Sequence, residues 1–188
     1  MIVGLFGGSF NPPHNGHVAL VDAARRELGL ERVVILVTVR PRYKRVEEPA
    51  ETRLALARAA FPGCEVEREE STTDVTVREA AARFGDVVFL VGADQFLDFP
   101  VSWHDPDAVL EHARLGVATR PGYPREALER ALEQVSRPER VLFFEIPELP
   151  IASREIRARV ARGEPVETLV PPAVAALIGS RGLYRPRR

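Results

Sequence analysis

Short unbroken apolar runs alternate along the chain with longer stretches in which apolar positions recur every three or four residues. Ile2–Phe6, Arg32–Val39 and Asp86–Val91 are runs of the first kind, and the second is rich in β-branched side chains. Such runs suit parallel strands covered on both faces. Leu115–Thr119 and Arg140–Phe144 read as further strands, and Glu65–Glu69 as a weaker one. From Gly16 to Leu28 the spacing of Val18, Val21, Ala24 and Leu28 predicts a helix, closed by Gly29. Helices are also predicted over Ala50–Ala60, over Val75–Phe84 with Thr73 or Asp74 as cap, and over Asp105–His112 with Pro106 in the first helical position. The last three are Arg125–Val135, Ser153–Arg162 capped by Ser153, and Pro171–Ile178. Gly7–Pro13 and Arg40–Pro49 read as loops, and Phe96–Trp103 as an aromatic loop, because each contains proline among polar or irregular residues.

Strand and helix therefore alternate from end to end. That order predicts an α/β fold, a doubly wound, mostly parallel sheet with helices on both faces. No repeat, linker or low-complexity tract divides the chain, so a single domain over 1–188 is expected. The last helices, about 153–188, are expected to pack at its C-terminal end. In such sheets ligands lie beyond the carboxyl ends of the strands, where the strand order reverses. The loops that follow Gly7, Gly92 and Arg120 are expected to meet there.

Composition narrows the function classes. Hydrophobic residues make up 45% of 188, enough for a full core. Lys plus Arg total 26 against 27 Asp plus Glu, a net charge of −1. That balance argues against wholesale nucleic-acid binding and leaves room only for a local basic pocket. The one cysteine, Cys64, excludes an intrachain disulfide and reads as a small half-buried residue. Val33–Val37 is too short to span a bilayer, and Met1–Phe6 is too short for a signal-peptide core and lacks a basic lead. A cytoplasmic protein with no membrane or nucleic-acid partner is expected, and the sequence carries no signal for its oligomeric state.

The chemistry concentrates first in Gly7-Gly8-Ser9-Phe10-Asn11-Pro12-Pro13-His14-Asn15-Gly16-His17. Two glycines after a strand let a backbone approach a ligand closely. The helix that follows offers unpaired N–H groups and a positive dipole end to an anion. His14 and His17 are three apart and share a side of that helix start, with Gly16 leaving room between them for a phosphate group. Imidazole N–H groups there would stabilise charge developing on phosphate oxygens. In a second segment, Asp94 stands just beyond a strand, where a carboxylate accepts ribose hydroxyls. Trp103 follows it and offers a face for a flat heteroaromatic ring. In a third, Ser153 heads a helix and Arg157 lies one turn on, within reach of the same anion. A fourth, Arg40-Pro41-Arg42-Tyr43-Lys44-Arg45, packs four cations into six residues. His104 and His112 have no evident partners and read as structural or surface residues.

The first segment resembles the Gly-Gly-Ser/Thr-Phe-Asp/Asn-Pro-x-His-x-Gly-His motif of the bacterial nicotinate-nucleotide adenylyltransferases, part of the His-x-Gly-His nucleotidyltransferase superfamily. The resemblance covers nearly the whole chain, because later segments match in order. Gly92-Ala93-Asp94 is similar to the family's Gly-x-Asp, with Trp103 as the tryptophan that packs on the pyridine ring. Ile151-Ala152-Ser153-Arg154-Glu155-Ile156-Arg157 is similar to its Ile-Ser-Ser-Thr-x-Ile-Arg, with Ala152 and Arg154 as departures. Lys44 matches the lysine of a Pro-Pro-His-Lys stretch in which Arg42 and Tyr43 depart from the pattern. Thr73 and Thr76 fall in a Thr-x-Asp-Thr-like stretch that touches the nicotinate end, and Arg120-Pro121-Gly122 resembles an Arg-Pro-Gly near the adenine.

The resemblance implies a Rossmann-like nucleotidyltransferase fold and transfer of AMP from ATP to nicotinate mononucleotide, giving deamido-NAD and pyrophosphate. It implies catalytic roles for His14, His17 and Arg157, and ATP contacts from Gly7, Gly8, Ser9, Phe10, Lys44, Arg120 and Ser153. The acceptor would be met by Asp94, Trp103, Thr73 and Thr76. Mg²⁺ would bridge ATP phosphates with few or no protein ligands. Two other readings stay open at this point. One is a related nucleotidyltransferase acting on nicotinamide mononucleotide or another phosphorylated acceptor. The other is a nucleotide-binding module without turnover.

Overall fold

The computed structural model describes residues 1–41 and 46–186. Its strands are β1 (Ile2–Gly8), β2 (Arg32–Thr38), β3 (Glu65–Glu69), β4 (Asp86–Gly92), β5 (Arg114–Thr119) and β6 (Val141–Glu145). Its helices are α1 (Asn15–Leu28), α2 (Ala50–Ala60), α3 (Thr73–Phe84), α4 (Ala93–Ser102), α5 (Pro106–His112), α6 (Arg125–Glu133), α7 (Ser153–Arg162) and α8 (Pro172–Arg181). The strands form one sheet in the order β3-β2-β1-β4-β5-β6, so the order reverses at β1. The expected doubly wound α/β architecture is what the chain adopts.

By contact the chain divides into two compact units, each built from three separate stretches. The first comprises Met1–Gly7, Leu20–Val34 and Ser71–Glu148. Here β1, β4 and β5 lie side by side in parallel, with Phe6 opposite Leu90 and Gly92 opposite Ala118. β6 continues the ladder with Ala118 opposite Phe144. Five consecutive residues of β4, Val87–Val91, are buried, as a strand covered on both faces requires. Residues Phe96 and Phe99 of α4, Val109 and Leu110 of α5, and Leu115 and Val117 of β5 are all essentially inaccessible.

The aromatic stretch expected as a loop belongs instead to α4. Phe96 and Phe99 are three apart and both fully buried, which gives the helix its apolar face. Its first turn is held by the Gln95 side chain, which accepts the Gly92 N–H at 3.2 Å. Pro100 sits inside this helix, close to its end at Ser102. At α5 the expected cap is present: the Asp105 carboxylate accepts the Ala108 N–H at 3.0 Å and Pro106 opens the helix. Thr73, expected as a cap, is the first residue of α3, which begins after Thr72.

The second unit comprises Gly8–Ala19, Ile35–Glu70 and Leu149–Arg188. It holds the end of β2, the helices α2, α7 and α8, and β3. Helix α2 packs on α8 and on β3. Leu54, Leu56 and Ala57 of α2 and Val174 and Ile178 of α8 are buried in it, with Ile156 of α7. Helix α8 runs on to Arg181 and ends in the left-handed Gly182.

Candidate functional site

In the second unit the glycine–histidine segment is built around Phe10. Its φ of 46° lies in the left-handed region, which a bulky residue occupies only where the surroundings over-determine it. The ring is 2% exposed and sits edge-on to Phe61 at 5.7 Å and to His17 at 5.4 Å. A Cβ at Gly8 would stand 3.0 Å from the Phe10 ring, so the bare glycine makes space for that ring. Phe10 thus supports His17 from inside the fold.

His14 and His17 are stacked, with ring centres 3.7 Å apart and planes 27° apart. The His14 N–H donates to His17 Nδ1 at 3.1 Å, and the His14 carbonyl accepts the N–H groups of His17 and Val18. An accepting Nδ1 fixes the neutral tautomer of His17 with its proton on Nε2, which makes Nε2 a donor. His14 is 9% exposed, and burial pushes its imidazolium down to about 4, so the ring is neutral at pH 7. Its Nδ1 is buried without a hydrogen-bond partner among the described residues. Gly16 does not hold open a gap between the histidines, as the sequence suggested. A Cβ there would stand 3.0 Å from His14 Nδ1, and the absence of one lets the His14 ring lie where it does.

Helix α7 closes on the same segment. Ser153 is not its cap: Ala152 holds that position, and the Ser153 hydroxyl donates to the Pro12 carbonyl at 2.8 Å. One turn on, Arg157 Nη1 donates to the Asn11 carbonyl at 2.8 Å, and Nε faces the Glu47 carboxylate at 3.1 Å. Asn11 also donates through Nδ2 to Glu47 at 2.6 Å and accepts the Tyr184 hydroxyl at Oδ1 at 3.0 Å. Ser153 and Arg157 therefore both reach the glycine–histidine segment. Arg154 is exposed. Lys44, with Arg42, Tyr43 and Arg45, lies outside the described residues.

Sequence reasoning missed Arg53. It is 1% exposed in the middle of this unit. Its guanidinium donates to the carbonyls of Ser9 (2.9 Å), Thr38 (2.7 Å), Val39 (3.0 Å) and Glu48 (3.0 Å). One cation thus ties the glycine–histidine segment to the end of β2 and to the approach to α2. Burial lowers its pKa from the ordinary arginine value. No sequence spacing signals such a residue, because its partners are backbone carbonyls.

The expected acceptor residues all lie in the first unit. Asp94, exposed in the first turn of α4, accepts the Tyr123 hydroxyl at 2.9 Å. The Tyr123 N–H closes the Arg120-Pro121-Gly122 turn on the Arg120 carbonyl at 3.0 Å. The loops after β4 and β5 therefore meet, and Arg120 is exposed at that turn. Burial, with Asp94 as neighbour, raises the Tyr123 phenol pKa and keeps it a donor. Trp103, half-buried at the end of α4, lies edge-on to Phe99 at 5.2 Å and to Phe89 at 5.9 Å. The next residue, His104, is exposed but not unpartnered. Its Nδ1–H donates to the Asp74 carboxylate at 3.1 Å. Burial would raise the Asp74 carboxyl, but hydrogen bonds from Thr72 and His104 outweigh it and hold the group below its ordinary value. This pair joins the Trp103 segment to the first turn of α3, which carries Thr73 and Thr76.

Among the described residues no three His, Cys, Asp or Glu side chains gather to hold a metal ion, and no helix is long and apolar enough to cross a membrane.

Comparison with known proteins fits this arrangement. Residues 5–159 match the cytidylyltransferase-like family. A protein of Moorella thermoacetica named "Probable nicotinate-nucleotide adenylyltransferase" is 39% identical over 98% of this chain and 92% of its own. One of the same name from Thermus thermophilus is 39% identical over 98% of this chain and 100% of its own. Among solved structures, the Plasmodium falciparum nicotinic acid mononucleotide adenylyltransferase complexed with NaAD has a TM-score of 0.77 at 15% identity, covering 97% of each chain. A putative nicotinate-nucleotide adenylyltransferase from Vibrio parahaemolyticus gives 0.65 at 20% identity, covering 99% of this chain and 96% of its own. Those two carry the fold, and the bacterial relatives carry the family. The chain belongs to the cytidylyltransferase-like family and, within it, to the nicotinate-nucleotide adenylyltransferases.

Proposed function

We propose that this protein transfers AMP from ATP to nicotinate mononucleotide, releasing pyrophosphate and forming deamido-NAD. The observation that carries the reading is the stacked His14–His17 pair in a segment that Ser153 and Arg157 also hold. Relatives named for this activity, alike over nearly their whole length, support the acceptor.

A phosphate oxygen of the mononucleotide attacks the α-phosphorus of ATP. The new O–P bond forms as the bond from that phosphorus to the bridging oxygen breaks, and the electron pair leaves with pyrophosphate. The attacking oxygen is already anionic, so the chemistry asks for alignment and charge stabilisation, not for a protein base. His17 donates through Nε2–H, and neutral His14 through its own ring N–H, to the α- and β-phosphates. Arg157 and Ser153, with Lys44, hold the β- and γ-phosphates that depart. Gly7, Gly8 and Ser9 bring backbone to the nucleotide, and Arg120 serves the adenine end. Asp94 takes ribose hydroxyls, Trp103 the pyridine ring, and Thr73 and Thr76 the carboxylate. Mg²⁺ is part of the ATP substrate and neutralises phosphate charge. The reading includes a cytoplasmic location, where ATP and mononucleotides are at hand.

The test is pyrophosphate release with ATP and a panel of acceptors: nicotinate mononucleotide, nicotinamide mononucleotide and phosphopantetheine. Release with the first at a kcat/KM well above the others supports the proposal. Preference for another acceptor would reassign the substrate, and ATP binding with no release from any acceptor would make this a binding module.

A further inference from the structure

The segment after α8 returns to the glycine–histidine segment through Tyr184. After α8, Gly182 and Tyr184 both adopt left-handed backbone, with φ of 60° and 61°. Leu183 between them is 8% exposed, and its N–H closes on the Ile178 carbonyl at 3.1 Å. Two left-handed residues in three turn the chain sharply, and at Tyr184, a bulky side chain, that conformation is held against its own preference. What holds it is polar. The Tyr184 N–H donates to Glu48 Oε1 at 3.4 Å, and its hydroxyl donates to Asn11 Oδ1 at 3.0 Å. Burial, then the nearby Glu48 carboxylate, raises the phenol pKa and keeps it protonated, hence a donor.

From Asn11 the connections run on without a gap. With its oxygen held by Tyr184, the amide is fixed with Nδ2 toward Glu47, at 2.6 Å. The same Glu47 oxygen faces Arg157 Nε at 3.1 Å, and the Asn11 carbonyl accepts from Arg157 Nη1 at 2.8 Å. Of the two groups that aim the guanidinium, the Glu47 carboxylate is held by the Asn11 side-chain amide, whose orientation is set by Tyr184, and the other is the backbone carbonyl of Asn11.

We propose that Tyr184 is a positioning residue for Arg157, acting through Asn11 and Glu47 to fix the guanidinium for the departing phosphates. The proposal rests on the phosphate-holding role given to Arg157 above. It predicts that Tyr184 belongs to the working parts of the site without touching substrate.

The test uses the full chain as four proteins: unaltered, Tyr184→Phe, Arg157→Ala and the double variant. Each is assayed for pyrophosphate release with MgATP and nicotinate mononucleotide, for ATP binding by calorimetry, and for melting temperature. Losing one neutral hydrogen bond corresponds to about a fivefold effect. Tyr184→Phe is expected to lower kcat or ATP affinity by about that factor, with the KM for nicotinate mononucleotide unchanged within about twofold. In the Arg157→Ala background the same change is expected to do almost nothing, since residues that act as one unit are not additive. An unchanged Tyr184→Phe enzyme overturns the proposal. So does an equal effect in both backgrounds, with or without a fall in melting temperature, because that is what general loosening produces. If the unaltered chain releases no pyrophosphate, the proposed reaction fails, and the ATP-binding comparison still decides the role of Tyr184.

Discussion

The Nδ1 of His17 accepts the backbone N–H of His14 at 3.1 Å while the two rings lie stacked 3.7 Å apart. One histidine thereby fixes the proton position of the other. The expected consequence is that His17→Ala lowers turnover by about 10²–10³, the usual cost of losing one donor to transition-state charge. Circular dichroism should show an intact fold. Near-normal turnover in that variant would remove His17 from the catalytic set.

Protonation of His14 should make stability depend on pH in a defined window. Its imidazolium is pushed down to about 4, against 6.5 in an unfolded chain. Between those values the unfolded state binds more protons, so stability is complete above pH 6.5 and is lost as pH falls toward 4. The full difference is worth roughly 3 kcal/mol. Urea unfolding of the native protein and of His14→Asn at about pH 7, 5.5 and 4.5, points that run from above this window into it, measures it. Parallel curves for the two proteins would show that another group carries the acid sensitivity.

Arg53 should matter for stability more than any exposed arginine. A lysine at this position presents a compact ammonium that cannot reach the carbonyls of Ser9, Thr38, Val39 and Glu48 together. Arg53→Lys is expected to destabilise by about 2–4 kcal/mol, since buried carbonyls left without donors each cost on the order of 1–3. Equilibrium denaturation reads this directly. A change within about 0.5 kcal/mol, the range of ordinary surface substitutions, would contradict the tie these bonds represent.

Trp103 is the single tryptophan of the chain, which makes it its own reporter. Stacking of a pyridine ring on it should quench its emission when nicotinate mononucleotide is added. Trp103→Ala should raise the KM for that acceptor by about tenfold while leaving the KM for ATP within about twofold. Unchanged emission at saturating acceptor would place the pyridine ring elsewhere.

What could be read from the sequence, and what could not, follows from where each signal resides. Val33–Val37 announces a buried strand because every position carries its own evidence, and all five are buried. The segment from Gly7 to His17 is legible because its parts are contiguous. Helix α4 is hidden by Pro100, which argues for a loop and outweighs the spacing of Phe96 and Phe99. The carbonyl partners of Arg53, and the separate network of Glu47, Asn11 and Tyr184, leave no trace, because tertiary hydrogen bonds have no sequence period. The same holds for His104, whose partner Asp74 is 30 residues away. The geometry inside the histidine pair is also beyond reach: spacing puts the two rings on one side, but their stacking depends on the packing around them, with Phe10 edge-on to His17 and the bare Gly16 beside the His14 ring.

The two compact units are threaded through one another along the chain, and this sets a timetable for the ribosome. Ser153 and Pro12 meet although 141 residues separate them in sequence. The unit that holds the histidine pair draws its third stretch from Leu149–Arg188. A nascent chain that has passed β6 has all three stretches of the first unit, but the histidine-bearing unit still waits for its closing helices. The surroundings of the histidine pair therefore close only once α7 has been made, and a polypeptide stalled before α7 would carry His14 and His17 without the serine and arginine that complete them.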